Sequence, residues 1–331
     1  MRIVVDAMGS DNYPHPDVEG AVMAARDWGD EIILVGQEGL IERELARYDT
    51  AGLKLEIVHA PEVIEMEDEP TKAAREKQHS SMHVGMDLVR TGQADAYFTA
   101  GNTGGVLVVA TLYTLRRIRG VKRPALATIL PLPKGHAVIL DIGANADCRP
   151  EYLVQFARMG AVYAHALLGR DSPTVALLSN GEEPGKGSML VKDTYKLLAA
   201  DSSLHFIGNV EPKEALDSRA DVIVTDGFAG NVFLKSLEAM AGMLFDVIKD
   251  EITAGLRTKI GGYLAKPAFR RVYKRLDPFE VGGGPLLGVN GVVIVGHGRS
   301  NGRAIRNGIG QARQAVQGNV VATLVEALAA S

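Results

Sequence analysis

The groups in this 331-residue chain that could do chemistry are amides and a lysine set among glycines. Asn102 and Thr103 stand in Gly101-Asn102-Thr103-Gly104-Gly105, and Asn145 in Gly143-Ala144-Asn145-Ala146-Asp147. Asn180 and Lys186 share the run from Ser179 to Gly187, and Gly230-Asn231 closes Thr225-Asp226-Gly227-Phe228-Ala229. Each run follows a short apolar segment and precedes a helical pattern. A helix opened by such a turn leaves its first backbone N–H groups unpaired and aimed one way, which makes an anion site. Turn N–H groups, side-chain amides and a lysine point charge together suit phosphate or a phosphoryl group. His297, in Gly296-His297-Gly298, is a further candidate. Any one of these asparagines is equally explained as a turn residue bonding its own backbone. Four at equivalent turns point to one rim, and ligands of open α/β sheets bind outside the carboxyl ends of the strands.

Other chemistries fit less well. The run from Asn180 to Gly187 departs from a P-loop, with Asn180 for its first glycine and Gly187 for the Ser/Thr that would hold Mg²⁺. Gly296-x-Gly298 and Gly282-x-Gly284 lack the third glycine of a dinucleotide fingerprint, since Asn301 and Leu287 stand there. His79 and His83 are spaced i, i+4 on one expected helix, without an H-E-x-x-H pattern or a cysteine partner. Asp6, Asp141, Asp147 and Asp226 fall at strand ends, where a carboxylate either ligates Mg²⁺ or caps a helix. The lone cysteine, Cys148, is read as structural.

Positioning these turns requires alternating strands and helices. Ile3 to Val5, Ile32 to Val35, Leu55 to Val58, Tyr97 to Thr99, Val175 to Leu178, Leu204 to Ile207 and Val222 to Val224 are short apolar runs of the kind covered on both faces. Helical patterns separate them: Val18 to Trp28, Leu40 to Tyr48, one long helix from Pro70 to about Arg90, Val106 to Arg117, Glu151 to Leu168, Ser188 to Ala199, Pro212 to Leu216 and Val232 to Ile248. A last helix is expected from Ala304 to Leu328. Pro131 to Gly135 reads as a hairpin loop that adds one antiparallel strand, and Asn290-Gly291 as a two-residue hairpin turn. The spacing predicts a mostly parallel, doubly wound α/β sheet in three layers, as a single domain over residues 1–331. At 46% apolar and 23% charged, with no apolar run of membrane-spanning length, the composition is that of a soluble chain. One cysteine and no leader pattern suggest the cytoplasm, and a net charge of −4 argues against nucleic acid as a partner.

Residues 252–276 stand apart. They carry Arg257, Lys259, Lys266, Arg270, Arg271, Lys274 and Arg275 with no acidic residue, and apolar positions partly at helical spacing. A basic amphipathic helical protrusion follows. It is either a solvated hairpin whose apolar face enters a dimer core, or a contact for a membrane surface or an acidic protein. If half of its cations approached an anionic leaflet at ~1 kcal/mol each, the gain would be about 3–4 kcal/mol, enough for reversible docking.

Asp6-Ala7-Met8-Gly9, Gly101-Asn102-Thr103-Gly104, Gly143 to Cys148, Leu178 to Glu183 with Lys186-Gly187, Asp226 to Asn231, and Gly296-His297-Gly298 with Ser300 resemble, in order, the bacterial phosphate acyltransferases, the PlsX family. The likeness covers nearly the whole chain, with Ser10 where the family commonly has a second glycine. It implies attack of inorganic phosphate on the fatty acyl thioester of acyl carrier protein, in phospholipid synthesis and without a cofactor. It implies a fold like that of phosphotransacetylase and isopropylmalate dehydrogenase. It also implies a homodimer peripheral to the membrane, near the glycerol-3-phosphate acyltransferase that acts next. Carried over by the resemblance, Lys186 and Asn231 activate phosphate; Asn102, Thr103, Gly104, Asn145, Asn180, Gly230 and His297 supply the cradle or the oxyanion donors. A metal- and NAD-dependent 2-hydroxyacid dehydrogenase on the same fold, or a non-catalytic phosphate-binding scaffold, are the competing expectations.

Overall fold

Ile3-Val4-Val5, Ile32-Ile33-Leu34-Val35 and Val222-Ile223-Val224 are apolar at every position, so neither face of their strands can meet water. In the structure, a computed structural model that describes residues 1–329, all of them are buried inside an eleven-stranded sheet. The strands are β1 Arg2–Asp6, β2 Glu31–Gly36, β3 Leu55–His59, β4 Ala96–Thr99, β5 Ala125–Leu132, β6 Gly135–Leu140, β7 Thr174–Leu178, β8 His205–Val210, β9 Val222–Val224, β10 Gly284–Leu287 and β11 Val292–Val295. The helices are α1 His15–Trp28, α2 Glu38–Leu45, α3 Pro70–Glu76, α4 Ser81–Arg90, α5 Thr103–Val108, α6 Pro150–Leu168, α7 Met189–Ala200, α8 Pro212–Leu216, α9 Gly227–Thr253, α10 Leu256–Leu276, α11 Pro278–Val281, α12 Gly302–Gln317 and α13 Val320–Ala329. Successive strand residues feed opposite faces, as the twofold period of a strand requires. Phe98, Leu140 and Val224 join the apolar layer under α1, α6 and α12, whereas Tyr97, Ile139 and Ile223 join the layer under α4, α5 and α9.

The strand order is β3-β2-β1-β4-β11-β10-β5-β6-β9-β7-β8. Pairing is parallel from β3 to β11 and again from β6 to β8, and antiparallel where β10 and β5 join the halves. Because three successive pairings reverse, the two parallel halves run in opposite directions. The registers Val295↔Gly284, Leu286↔Leu126 and Ala127↔Leu140 also stagger them, so the carboxyl ends of β4 and β11 reach the same level as those of β6 and β9. The glycine-rich turns therefore do not share one rim of one parallel sheet, as expected from sequence. They lie on two rims of opposite polarity that meet across the central antiparallel strands.

Several helices are shorter than their patterns. The stretch from Pro70 to Arg90 breaks at Lys77, whose ammonium bonds Val63 O at 2.7 Å and Asp68 at 2.5 Å, and Ser80 restarts the chain as cap of α4. His79 therefore lies outside the helix that holds His83, and the i, i+4 pair does not form. After α5, the ladder widens into a π turn over Val109–Tyr113 and stops at Thr114. The final helix is two, α12 and α13, parted at Gly318-Asn319. The hairpin turn at Asn290-Gly291 is a four-residue connection from Gly288, since Val289 leaves its strand to bridge Arg117. Ser10, the departure in the first turn, is buried and donates to Asp17 Oδ2 at 2.5 Å.

Candidate active site

The site is built outward from the first turn of α9. Asp226 caps it, its Oδ1 accepting from Ala229 N at 2.8 Å. Gly227 and Gly230 let the helix press against the loop after β6: a Cβ on Gly227 would lie 2.6 Å from Asn145 O, and one on Gly230 would overlap Asp141 O. That loop is knotted around Asp141, which is fully buried and accepts from Leu126 N, Gly143 N, Ala144 N, Asn145 N and Asn145 Nδ2. Burial pushes the Asp141 carboxyl above the usual carboxylate range despite these donors. All of its neighbours are donors in place, so Asp141 acts as a backbone organiser. Among the described residues, no group of three or more His, Cys, Asp or Glu side chains is arranged to hold a metal ion.

Asn231 follows, its Nδ2 donating to Ile142 O at 3.0 Å, which fixes the amide at the wall of a cavity of about 720 Å³. That volume lies within the usual ~300–1,000 Å³ of small-molecule sites. One end is polar, with Gly101, Thr103, Asn231, Lys235, His297 and Arg299. The remainder is a mostly apolar trough between β5, α9 and α11, walled by Ile129, Leu130, Leu234, Leu237, Ala241 and Phe279, and the lining also includes Asp11, Thr128, Glu238, Asp277 and Ser300. Lys235, one turn beyond Asn231 on the same face, places Nζ 2.9 Å from His297 Nε2 and 3.3 Å from Glu238 Oε2. An ammonium has no lone pair, so the 2.9 Å contact requires His297 Nε2 to accept and Nδ1 to carry the proton of the neutral ring, which leaves the longer 3.4 Å approach of Arg299 N to Nδ1 without a hydrogen bond. Burial first, then the charges of Lys235 and Arg299, hold His297 below its ordinary value, which keeps the ring neutral.

Among the expected site residues, Thr103, Asn231 and His297 line this one cavity. Gly230 acts by its absent side chain, and Gly104 by closeness, a Cβ there meeting Pro70 Cβ at 3.0 Å. Asn102 and Asn145 stand behind the wall. Asn102 caps α5, and its Nδ2 is shared by Glu65 O, Met66 O and Asp68 O at 3.1, 3.1 and 3.2 Å. Asn145 Nδ2 donates to Pro124 O at 2.7 Å and to Asp141. Asn180 and Lys186 are exposed on the turn after β7, outside the cavity, although β7 pairs directly with β9 and the two turns are neighbours. Cys148 is half-buried with its thiol pushed up to about 12, chiefly by burial, so it holds no thiolate at neutral pH. Lys235 and Glu238 were not anticipated, whereas an apolar groove is what an acyl chain would need, and the trough that the structure forms is not lined by residues 252–276. The signal for these two residues was present: Asn231, Lys235 and Glu238 recur at i, i+4 and i+7, a polar stripe in the mostly apolar first half of the helix.

A family model described as Fatty acid synthesis protein matches residues 1–323. Phosphate acyltransferase of Herpetosiphon aurantiacus is 48% identical over 360 residues, covering 99% of this chain and 98% of that protein. Phosphate acyltransferase of Syntrophotalea carbinolica is 47% identical over 326 residues, covering 98% and 93%. The chain belongs to the phosphate acyltransferase family. In three dimensions it is similar to a phosphotransacetylase from Streptococcus pyogenes, with a TM-score of 0.60, 16% identity and coverage of 99% and 94%. A branched-chain phosphotransacylase from Enterococcus faecalis gives a TM-score of 0.60 at 17% identity, with coverage of 96% and 99%. These two likenesses support the three-layer α/β/α fold.

Proposed function

We propose that this phosphate acyltransferase relative moves a fatty acyl group from the thioester of acyl carrier protein onto inorganic phosphate, releasing acyl phosphate and the free carrier. The observation that carries the reading is the joining of an apolar trough to an amide- and cation-lined end within one cavity. An acyl chain fits the trough at about 0.8 kcal/mol per buried CH₂, with its thioester carbon at the polar end. Phosphate is itself a competent nucleophile, so the protein needs to hold it against the carbonyl, where positioning contributes up to ~7–11 kcal/mol. Asn231 and Lys186 take the phosphate role, with Thr103 and the Gly101 turn as donors to the developing oxyanion, one such donor being worth ~10²–10³ in rate. Lys186 lies outside the cavity, so this role requires it to swing in from the adjacent turn, where Gly185 and Gly187 flank it.

The test mixes the purified protein with acyl carrier protein thioester and phosphate and looks for acyl phosphate by mass spectrometry. Lys186→Ala should remove most of that product with the fold intact; near-normal turnover would count against the role given to Lys186.

The α9–α10 hairpin is proposed to serve assembly and docking. No described residue of α10 is buried, and Leu256, Ile260, Tyr263 and Leu264 are each more than half exposed, an apolar row beside Arg257, Lys259, Lys266, Arg270 and Arg271. Contiguous exposure of this kind marks an interaction surface. A second copy of the chain, the cytoplasmic face of a membrane or the acidic carrier would each complement it, and no helix is long and apolar enough to cross a bilayer among the described residues. Arg275 is committed elsewhere, its Nη2 donating to Leu132 O at 2.7 Å and Pro133 O at 2.6 Å, and Lys274 lies 4.0 Å from Glu280.

A further inference from the structure

We propose that Lys235 is a catalytic residue of the acyl transfer, the acid that serves the departing thiolate, with His297 and Glu238 positioning its ammonium. The assignment rests on the acyl-transfer reading of the same cavity. Lys235 lines the cavity with its α9 neighbours Leu234 and Leu237 of the apolar trough and contacts His297 of the polar end, so it joins the two parts. A thioester whose chain lies in the trough places its sulfur or its carbonyl oxygen at this boundary. Of the three N–H bonds of the ammonium, one is taken by His297 Nε2 at 2.9 Å and one by Glu238 Oε2 at 3.3 Å, leaving the third for the cavity. A neutral imidazole is required for this, since an imidazolium would repel the ammonium. His297 is kept neutral by its burial and by the neighbouring cations. Arg299 Nη2, 3.8 Å from the same Glu238 oxygen, holds that carboxylate in place.

The step balances without a further reactant. An oxygen of hydrogen phosphate forms the new C–O bond, the C–S bond breaks with its electron pair going to sulfur, and Lys235 Nζ gives sulfur a proton. The proton that the phosphate hydroxyl sheds on becoming a dianionic acyl phosphate returns to the Lys235 amine. By Brønsted behaviour, a proton donor assists the departure of a basic alkyl thiolate more than that of a weakly basic aryl thiolate.

The experiment compares wild type, Lys235→Met and Lys235→Gln on the octanoyl thioesters of N-acetylcysteamine and of 4-nitrothiophenol, with phosphate varied and acyl phosphate read by mass spectrometry. The expected result is a loss of about 10²–10⁴-fold in kcat on the alkyl thioester, less than about tenfold on the aryl thioester, and a phosphate KM within about threefold of wild type. Equal losses on both thioesters, or a raised phosphate KM at unchanged kcat, would overturn the assignment and make Lys235 a structural or phosphate-holding cation. His297→Gln, which keeps an acceptor for the ammonium, should retain more of the alkyl-thioester rate than His297→Ala; equal rates would remove the positioning role. Matching thermal unfolding of each variant separates these outcomes from misfolding. Failure of the wild type to make acyl phosphate from the carrier thioester or either probe would overturn the acyl-transfer reading itself, and Lys235 with it.

Discussion

Substituting alanine for glycine at two positions of α9 should give opposite results. At Gly230, an added Cβ would overlap Asp141 O and lie 2.7 Å from Thr225 Cγ2, both parts of the frame that holds Asn231. Neither neighbour can retreat cheaply, because Asp141 is fully buried and bonded on several sides and Thr225 is buried beneath the helix. Overpacking of a rigid site costs ~1–3 kcal/mol, and the backbone character of this clash argues for the upper end. At roughly 2 °C per kcal/mol for a chain of this size, Tm should fall by about 6 °C. The helix must also slide by a fraction of an ångström or more, carrying Asn231 and Lys235 with it, and a displacement of 1 Å costs ~10²-fold in rate. At Gly242, about three turns along the same helix, nothing lies within 4 Å of an added Cβ, so alanine should gain up to ~1 kcal/mol from helix propensity and leave turnover unchanged. Acyl phosphate formation and differential scanning calorimetry on the two variants are the assays. Gly230→Ala with wild-type turnover and Tm would refute the claim that this close approach sets the position of the site.

Three further outcomes follow from other parts of the molecule. Lengthening the acyl group by two carbons should raise kcat/KM by about 15-fold while room remains in the trough, from ~0.8 kcal/mol per CH₂, and Ala241→Phe should move the plateau to shorter chains; a profile insensitive to both would place the chain elsewhere. Asp17 is buried, with its carboxyl pushed up to about 8 by burial and with Oδ1 lacking a hydrogen-bond partner. A folded-state value above the unfolded one means that its contribution is full below about pH 4 and is lost as pH rises toward 8, so Asp17→Asn should flatten the fall in urea midpoint over that window; parallel pH profiles for both proteins would sink the point. Charge reversal at Arg257, Lys259, Arg270 and Arg271 should weaken flotation with anionic vesicles if they meet lipid, or raise the KM for acyl carrier protein if they meet the carrier; no change in either assay would return α10 to a structural role.

The alternation of buried strands and helices was legible because runs such as Val222-Ile223-Val224 have no polar face to offer water, and the hairpin around Lys134-Gly135 because its turn residues interrupt two apolar runs. Helix ends were less so: Lys77 ends α3 by bonding Val63 and Asp68, partners remote in sequence, and the π turn after α5 has no local signature. The reversal between half-sheets was invisible for the same reason, since it depends on which edges β5 and β10 join. At the site, glycine-flanked amides marked the right turns but could not say which amide faces the cavity. Asn231 does so because Gly227 and Gly230 carry no side chains to hold the helix away. Asn102 and Asn145 turn their amides inward because unsatisfied carbonyls of Glu65, Met66, Asp68 and Pro124 wait there, and an unpaired buried carbonyl costs ~1–3 kcal/mol. The resemblance carried Lys186 and Asn231 together, yet the cations that share a cavity with Asn231 are Lys235, one helical turn away, and Arg299. Asn231 and Lys235 are exposed and line one cavity together with Leu234 and Leu237, so this stripe of Asn, Lys and Glu at four- and three-residue steps presents polar groups beside apolar ones. The pairing of that stripe with an apolar trough is therefore a statement about the ligand: one end anionic or strongly polar, the other a hydrocarbon.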